Sequence, residues 1–229
     1  MIVHQIVPRL ENQISLKELC DEDFFSQPCE KALSSKNIGF FDDLSREIFK
    51  NSETKQYPEL HALAFWLRKS NLTSIVNTFK ESLQSSDIII PRGIALHIAP
   101  ANVDSIFLYS WALSMLAGNI NMVRVSQKQS DQIILLFQII REIFQESLYQ
   151  EFAQKNIVLT YDHDQAISSY LSQKADIRFL WGGDETIQLF RSYLTKTNTK
   201  DVTFVDNDSK ALIVLKKNIN DLKIKEKTT

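Results

Sequence analysis

The sequence predicts an α/β fold, a mostly parallel sheet preceded by a helical region. Three observations lead there. Apolar residues recur at three and four through much of the first 90 positions, the spacing of helices with one buried face. From Ile88 onward short β-branched runs alternate with longer helical stretches, the pattern of βαβ units on a parallel sheet. With hydrophobic residues at 44% and charged residues at 24% of 229, the composition is that of a globular chain able to bury a sizeable core.

In chain order, Ile2 to Val7 reads as a short edge strand stopped by Pro8. Helices follow. Leu60, Leu63, Ala64 and Leu67 mark one apolar face, and Leu72, Ile75, Val76, Phe79 and Leu83 the next. Pro58 suits the first turn of the former, and Asn71 suits the cap of the latter, so the two share a corner. Strands are expected at Ile94–Ile98, Met122–Val125, Ile157–Thr160, Ile177–Trp181, Val202–Val205 and Leu212–Leu215. Helices between the first five are expected at Val103–Ala117, Ser130–Leu148, Gln165–Ser172 and Glu185–Leu194. Gly118 fits the left-handed position just past the first of these. The organisation expected is a helical region over 1–87 packed on the core, an α/β domain over 88–215 and a lysine-rich solvated tail over 216–229. A sheet that runs into such a tail at Leu215 reads as a chain ended early.

Composition excludes several classes of function. A formal charge of -2, with 26 Lys+Arg against 28 Asp+Glu and no basic stripe, argues against a nucleic-acid partner, which needs clustered cations. Val103–Ala117 is the longest apolar stretch; Asp104 and three serines interrupt it, and it falls short of the roughly 20 residues of a bilayer span. With two cysteines and no leader at the start, free thiols and a cytoplasmic location are expected.

Ligands of open α/β sheets bind at the carboxyl ends of strands, and three loops there are distinctive. Ala99, Pro100, Ala101 and Asn102 form a Pro-fixed turn that delivers Asn102 to a helix start. Helix capping is the first reading of Asn102; the other is a pair of amide donors for a developing oxyanion. Arg124, Val125, Ser126, Gln127 and Lys128 read first as a solvated strand end, although Arg and Ser at such a place can also hold a ribose or phosphate. Trp181, Gly182, Gly183, Asp184, Glu185 and Thr186 turn a strand into a helix over two glycines, which lets backbone N–H groups approach a pyrophosphate. Asp184 and Glu185 oppose that by repelling phosphate. G-x-G-x-x-G, the Walker pattern, G-x-S-x-G and H-E-x-x-H are all absent. Four scattered histidines give no metal-ligand spacing, so no metal is expected. His97 reads as a satisfied core histidine. Cys20, among Glu18, Asp21, Glu22 and Asp23, and Cys29, beside Glu30, read as structural thiols.

Taken together, Pro91-Arg-Gly-Ile-Ala-Leu-His-Ile-Ala-Pro-Ala-Asn102, Tyr109-Ser-Trp111 and Leu116-Ala-Gly-Asn-Ile-Asn-Met-Val-Arg-Val-Ser126 resemble the acyl-CoA reductase family of the aldehyde dehydrogenase superfamily, typified by the fatty-acid reductase of bacterial luciferase operons. The likeness continues at Ala175-Asp-Ile-Arg-Phe-Leu-Trp181-Gly-Gly-Asp-Glu-Thr186 and covers about Ile88 to Leu215. It implies an aldehyde dehydrogenase-like, Rossmann-like domain over 88–215 that binds NADP(H) without the usual glycine fingerprint. In that resemblance Ala99, Pro100, Ala101 and Asn102 line the nicotinamide side, with Asn102 also donating to the substrate oxygen. Arg124, Ser126 and Gln127 match the ribose and 2′-phosphate region, and Gly182, Gly183 and Thr186 the pyrophosphate turn. The implied reaction reduces a fatty acyl thioester, such as an acyl-CoA, to an aldehyde through an acyl-cysteine. The family's nucleophilic cysteine follows the strand matching Ala211–Leu215, on a second domain, and neither Cys20 nor Cys29 matches it. The expectation is therefore the cofactor-binding portion of a reductase, a homo-oligomer whose cysteine domain comes from a second chain. The alternative is a non-catalytic interaction or regulatory module that keeps the fold without binding cofactor.

Overall fold

The computed structural model describes residues 1–100 and 105–205. Its described strands form one sheet: β1 (Ile2–Val7), β2 (Glu11–Ser15), β3 (Ile94–Ile98), β4 (Ile120–Arg124), β5 (Asn156–Thr160), β6 (Ile177–Gly182) and β7 (Lys200–Val205). Their spatial order is β2-β1-β5-β4-β3-β6-β7. The five from β3 to β7 are mutually parallel, with Ile98 level with both Arg124 and Leu180. Every residue of β3 and β5 is buried, as continuous apolar runs require when helices cover both faces.

The side chains divide between those faces with period two. Ile94, Leu96, Ile98, Met122 and Leu180 pack in one cluster with α1 (Leu16–Leu19), α2 (Glu22–Ser26), α9 (Gln165–Lys174) and α10 (Asp184–Ser192). Ala99, Val123, Val125 and Val158 pack in the other, with α3 (Ser35–Lys50), α4 (Pro58–Leu67), α5 (Lys69–Glu81), α6 (Phe107–Leu116), α7 (Asp131–Phe144) and α8 (Gln150–Gln154). Thus α6 and α7 carry the chain outward from β3 to β4 and β5 on one side, and α9 and α10 carry it to β6 and β7 on the other. The direction of winding reverses between β3 and β6, the place where open α/β sheets bind their ligands.

The N-terminal region is joined to the sheet as well as packed on it. The expected strand at Ile2–Val7 forms, but it is not an edge. It lies between β2 and β5, antiparallel to both, with His4 opposite Thr160. The polar strand β2, unforeseen because Glu-Asn-Gln-Ile-Ser has almost no apolar content, takes the edge instead, where polar residues protect it. In the helical layer, Ser34 caps α3 by accepting from Asn37 N–H at 3.2 Å, and Phe40 stacks on Phe144 of α7 at 5.0 Å. Ser45 lashes α3 to α4 by donating to the Ala64 carbonyl at 2.6 Å. Pro58 opens α4 as expected. Asn71 does not cap α5, which starts two residues earlier; its amide instead donates to the Trp66 carbonyl at 2.7 Å and satisfies the end of α4. The remaining strands and helices stand within a few residues of their expected positions. The expected strand Leu212–Leu215, the start of the Val103 helix and the 216–229 tail lie outside the described residues.

Gly118 stands just past α6 at φ +87°, and a Cβ there would lie 2.3 Å from the Glu30 carbonyl oxygen. The Glu30 N–H donates to the Gly118 carbonyl at 2.9 Å, so backbone occupies the space and cannot yield. Gly118→Ala is expected to cost about 3 kcal/mol, or roughly 6–12 °C in Tm for a chain of this size, measured by thermal unfolding. Gly183→Ala, where nothing lies within 4 Å of the added carbon, is expected to leave Tm nearly unchanged.

Candidate functional site

The carboxyl ends of β5, β4, β3 and β6 lie side by side in that order, with the reversal point between the last two. Ala99 continues the β3 ladder by donating its N–H to the Arg124 carbonyl at 2.9 Å, and Val125 continues β4 by donating to Leu159 at 3.0 Å. These bonds bring the loops after β3 and β4 side by side, and Ala99, Pro100, Val125, Ser126 and Gln129 border one cleft of about 20 Å³. Ala101 and Asn102 lie outside the described residues. Ser126 Oγ accepts from the Lys128 N–H at 3.2 Å, which shapes the turn. Gln127 is exposed and does not border that cleft.

Arg124 points to the opposite face from Val125, because strand residues alternate. Its guanidinium lies 5.5 Å from the centroid of Tyr161, the first residue beyond β5. Tyr161 is buried and its hydroxyl is 3.0 Å from Ser168 Oγ. Sequence reasoning missed this tyrosine. The signal was available, since an aromatic one residue past a strand end stands beside the end of the neighbouring parallel strand.

On the other side of β3, β6 ends at Gly182, whose φ of +148° strongly favours glycine, and a Cβ there would meet the Thr186 side chain at 3.2–3.4 Å. Gly183 then serves as N-cap of α10 in extended backbone, with no side chain capping the first turn. Backbone N–H groups at this helix start are therefore not consumed by a local cap, and the missing side chains leave them approachable. Asp184 and Glu185 are exposed in that same turn.

Beneath the loops runs a buried polar chain that sequence reasoning saw only at His97. His97 is fully buried and stacks on Phe179 at 4.5 Å with ring planes 5° apart. Its Nε2 lies 3.1 Å from Asn121 Oδ1, and its Nδ1 3.1 Å from Ser110 Oγ. The Asn121 amide spends its N–H groups on the Asn119 carbonyl at 2.9 Å and Asn156 Oδ1 at 3.0 Å, so it presents a bare oxygen to the ring. Nε2 must then carry the proton, which leaves Nδ1 an acceptor facing Ser110 Oγ, whose one proton is also within reach of the Phe107 carbonyl at 2.8 Å. Ser110 Oγ in turn accepts from Trp181 Nε1–H at 3.2 Å. Asn156 Oδ1 also accepts from Trp111 Nε1–H at 2.8 Å. The relay thus ties α6, β3, β4, β5 and β6 together immediately before the Gly182 turn. Trp181 is pinned a second time by stacking on Phe204 of β7 at 3.9 Å. Burial lowers the His97 pKa to about 3 despite the Asn121 bond. The ring is neutral and saturated with bonds, as a structural group is and a general base is not.

Neither cysteine is poised as a nucleophile. Burial, with Asp21 adding to it, pushes the Cys20 thiol to about 12. Cys29 is exposed, yet partial burial and the charges of Asp176 and Glu30 raise it too, against a smaller opposite pull from Lys155. Both are free thiols. Among the described residues no group of His, Cys, Asp or Glu is arranged to hold a metal, and no helix is long and apolar enough to cross a membrane.

Comparison places this geometry among known proteins. The family model for acyl-CoA reductase (LuxC) matches residues 11–223. Among curated proteins, none matches the chain in sequence. Among solved structures, an aldehyde dehydrogenase from Bartonella henselae is 15% identical with a TM-score of 0.56, over 93% of this chain and 52% of its own. Glyceraldehyde-3-phosphate dehydrogenase from Methanocaldococcus jannaschii, complexed with NADP, is 15% identical with a TM-score of 0.56, over 87% and 49%. Betaine aldehyde dehydrogenase from Staphylococcus aureus, in complex with NAD+, is 14% identical with a TM-score of 0.54, over 89% and 45%. The fold is that of an aldehyde dehydrogenase, and the chain spans about half the length of the solved structures it matches.

Two outcomes follow from the buried groups. His97 binds its proton in the unfolded chain near 6.5 but in the native one only near 3. Its contribution is therefore whole above 6.5 and is lost as pH falls through that window, at up to about 1.4 kcal/mol per pH unit. Denaturant titrations at several pH values should show this slope, and His97→Asn should flatten it. Iodoacetamide at pH 8 should modify Cys29 in the native chain and Cys20 only after unfolding, read by mass spectrometry.

Proposed function

We propose that this chain, a member of the acyl-CoA reductase (LuxC) family, is the NADP(H)-binding portion of a reductase that turns fatty acyl thioesters into aldehydes, with the reacting thiol supplied from outside residues 1–229. The observation that carries the reading is the Gly182–Gly183 turn, uncapped and open at the start of α10, beside β3 where the winding of the sheet reverses. The fit to a dinucleotide rests on two features. Gly182 packs closely on Thr186, and open space surrounds Gly183 where a Cβ would stand, which leaves the backbone N–H groups at the start of α10 approachable for a pyrophosphate. Arg124 has no carboxylate in ion-pair distance among the described residues and is held by an aromatic face, which leaves its donor edges for a phosphate. Solved structures of like fold holding NAD+ and NADP support a nicotinamide dinucleotide.

In this reading Arg124, Ser126 and Gln127 hold the ribose and its 2′-phosphate. Gly182, Gly183 and Thr186 hold the pyrophosphate, and Ala99, Pro100, Ala101 and Asn102 border the nicotinamide. When bound, the cofactor supplies the hydride. The chain's own part is to bind and orient: Tyr161 fixes Arg124, the Ser110–Trp181 bond fixes the glycine turn, and the Asn102 amide offers donors to the thioester oxygen. Cys20 and Cys29, with raised pKa values, leave the covalent step to a thiol elsewhere. We place the domain boundary near residue 88 and expect a homo-oligomer in the cytoplasm. A second reading, a non-catalytic interaction or regulatory module, is favoured by Asp184 and Glu185 at the turn.

Titration calorimetry distinguishes the two. NADPH is expected to bind, and Arg124→Ala to weaken NADPH about tenfold or more while changing NADH little. Cys20→Ser and Cys29→Ser should keep NADPH affinity, and the chain alone should not oxidise NADPH on addition of acyl-CoA. No calorimetric signal, with Tm unmoved by millimolar NADPH, would favour the module.

A further inference from the structure

A cleft of about 460 Å³ lies away from the strand ends. It lies in the helical layer between the second half of α3 and the α4–α5 corner, bordered by Arg46, Phe49, Lys50, Arg68, Lys69 and Ser70. The cleft is within the size range of small-ligand sites, and it gathers four cations in a chain whose formal charge is -2. Two of the four are already engaged. Arg46 bonds Asp43 and lies 3.4 Å from Asp42, and Lys50 pairs with Glu47 at 2.5 Å. The other two differ. Arg68 and Lys69 have no carboxylate within ion-pair distance among the described residues. Asp42, the one acid in the lining, spends one oxygen on the Lys69 backbone N–H at 2.8 Å and turns the other toward Arg46.

Arg68 is also held in place. Its guanidinium lies 5.0 Å from the centroid of Phe49 and 4.5 Å from that of Phe65. A planar cation on two aromatic faces surrenders little further rotamer freedom when it binds, and its edge remains able to fork onto a phosphate. A single phosphate occupies a small part of 460 Å³. The remaining wall, half-buried Phe49 with the apolar stems of Lys50 and Arg46, suits a ring attached to it.

We propose that this cleft is a second ligand site, separate from the strand-end site, that takes a phosphorylated small molecule of nucleotide size, with its phosphate on Arg68 and Lys69 and its ring against Phe49. The site does not depend on the dinucleotide reading.

The test is calorimetric titration of the intact 229-residue chain with ADP, with inorganic pyrophosphate, and with phosphatidylglycerol vesicles. ADP is expected to bind, with affinity falling as salt rises. The double substitution Arg68→Gln, Lys69→Gln should weaken it at least tenfold, and saturating NADPH, which fills the strand-end site, should leave it in place. Arg68→Lys, which keeps charge but loses the fork and most of the stacking, should weaken ADP several-fold and serves if the double variant does not fold. Absence of ADP binding to the wild-type chain would overturn the proposal, as would ADP binding that NADPH competes away or that the Arg68 variants keep at wild-type affinity. Binding of vesicles with neither ADP nor pyrophosphate would assign the patch to a lipid surface and overturn it too.

Discussion

A polar ring in the middle of a buried parallel strand has to satisfy both nitrogens, and that demand on His97 organises the centre of the molecule. The ring is fully buried, and its partners come from neighbouring elements, each of which then needs its own. Asn121 answers from β4, Asn156 from β5, Ser110 from α6 and Trp181 from β6. The result fixes the lateral register of four strands and one helix more narrowly than apolar packing alone does. Leucine and valine tolerate small slides, whereas a donor facing an acceptor at 3.1 Å does not. The strand tips can be shaped for a ligand because the strands below them cannot shift.

The edges of the sheet are held differently. At the far side, Arg178 of β6 is buried and grips Asp201 of β7 with two nitrogens at 2.7 and 2.8 Å, while a third donates to the Phe190 carbonyl at 2.6 Å. One guanidinium thus joins two strands and the end of α10. A buried ion pair of this kind contributes geometry more reliably than net stability.

Much of this architecture is legible in the residues, and the parts that are not share a cause. β3, β5 and the amphipathic helices declare themselves because burial on both faces or on one face leaves a period in the sequence. β2 does not: an exposed edge strand obeys no apolar pattern, and Glu11 to Ser15 look like a loop. Asn71 misleads because an asparagine near a helix start can bind the backbone ahead of it or behind it, and only the corner geometry decides. At the site, glycines and the Ala99–Pro100 turn are visible as backbone demands. Tyr161 and the Ser110–Trp181 bond depend on which strands are neighbours, and strand order is not written locally.

The antiparallel pairing of β1 also bears on how the chain is assembled. His4 meets Thr160, so β1 has no partner on that side until β5, far along the chain, has been made. Such long-range closure is slow relative to local helix formation, and the N-terminal hairpin must wait with β5's edge exposed. The β1–β5 seam is therefore among the late events of folding, and the place where a crowded cell has longest to interfere.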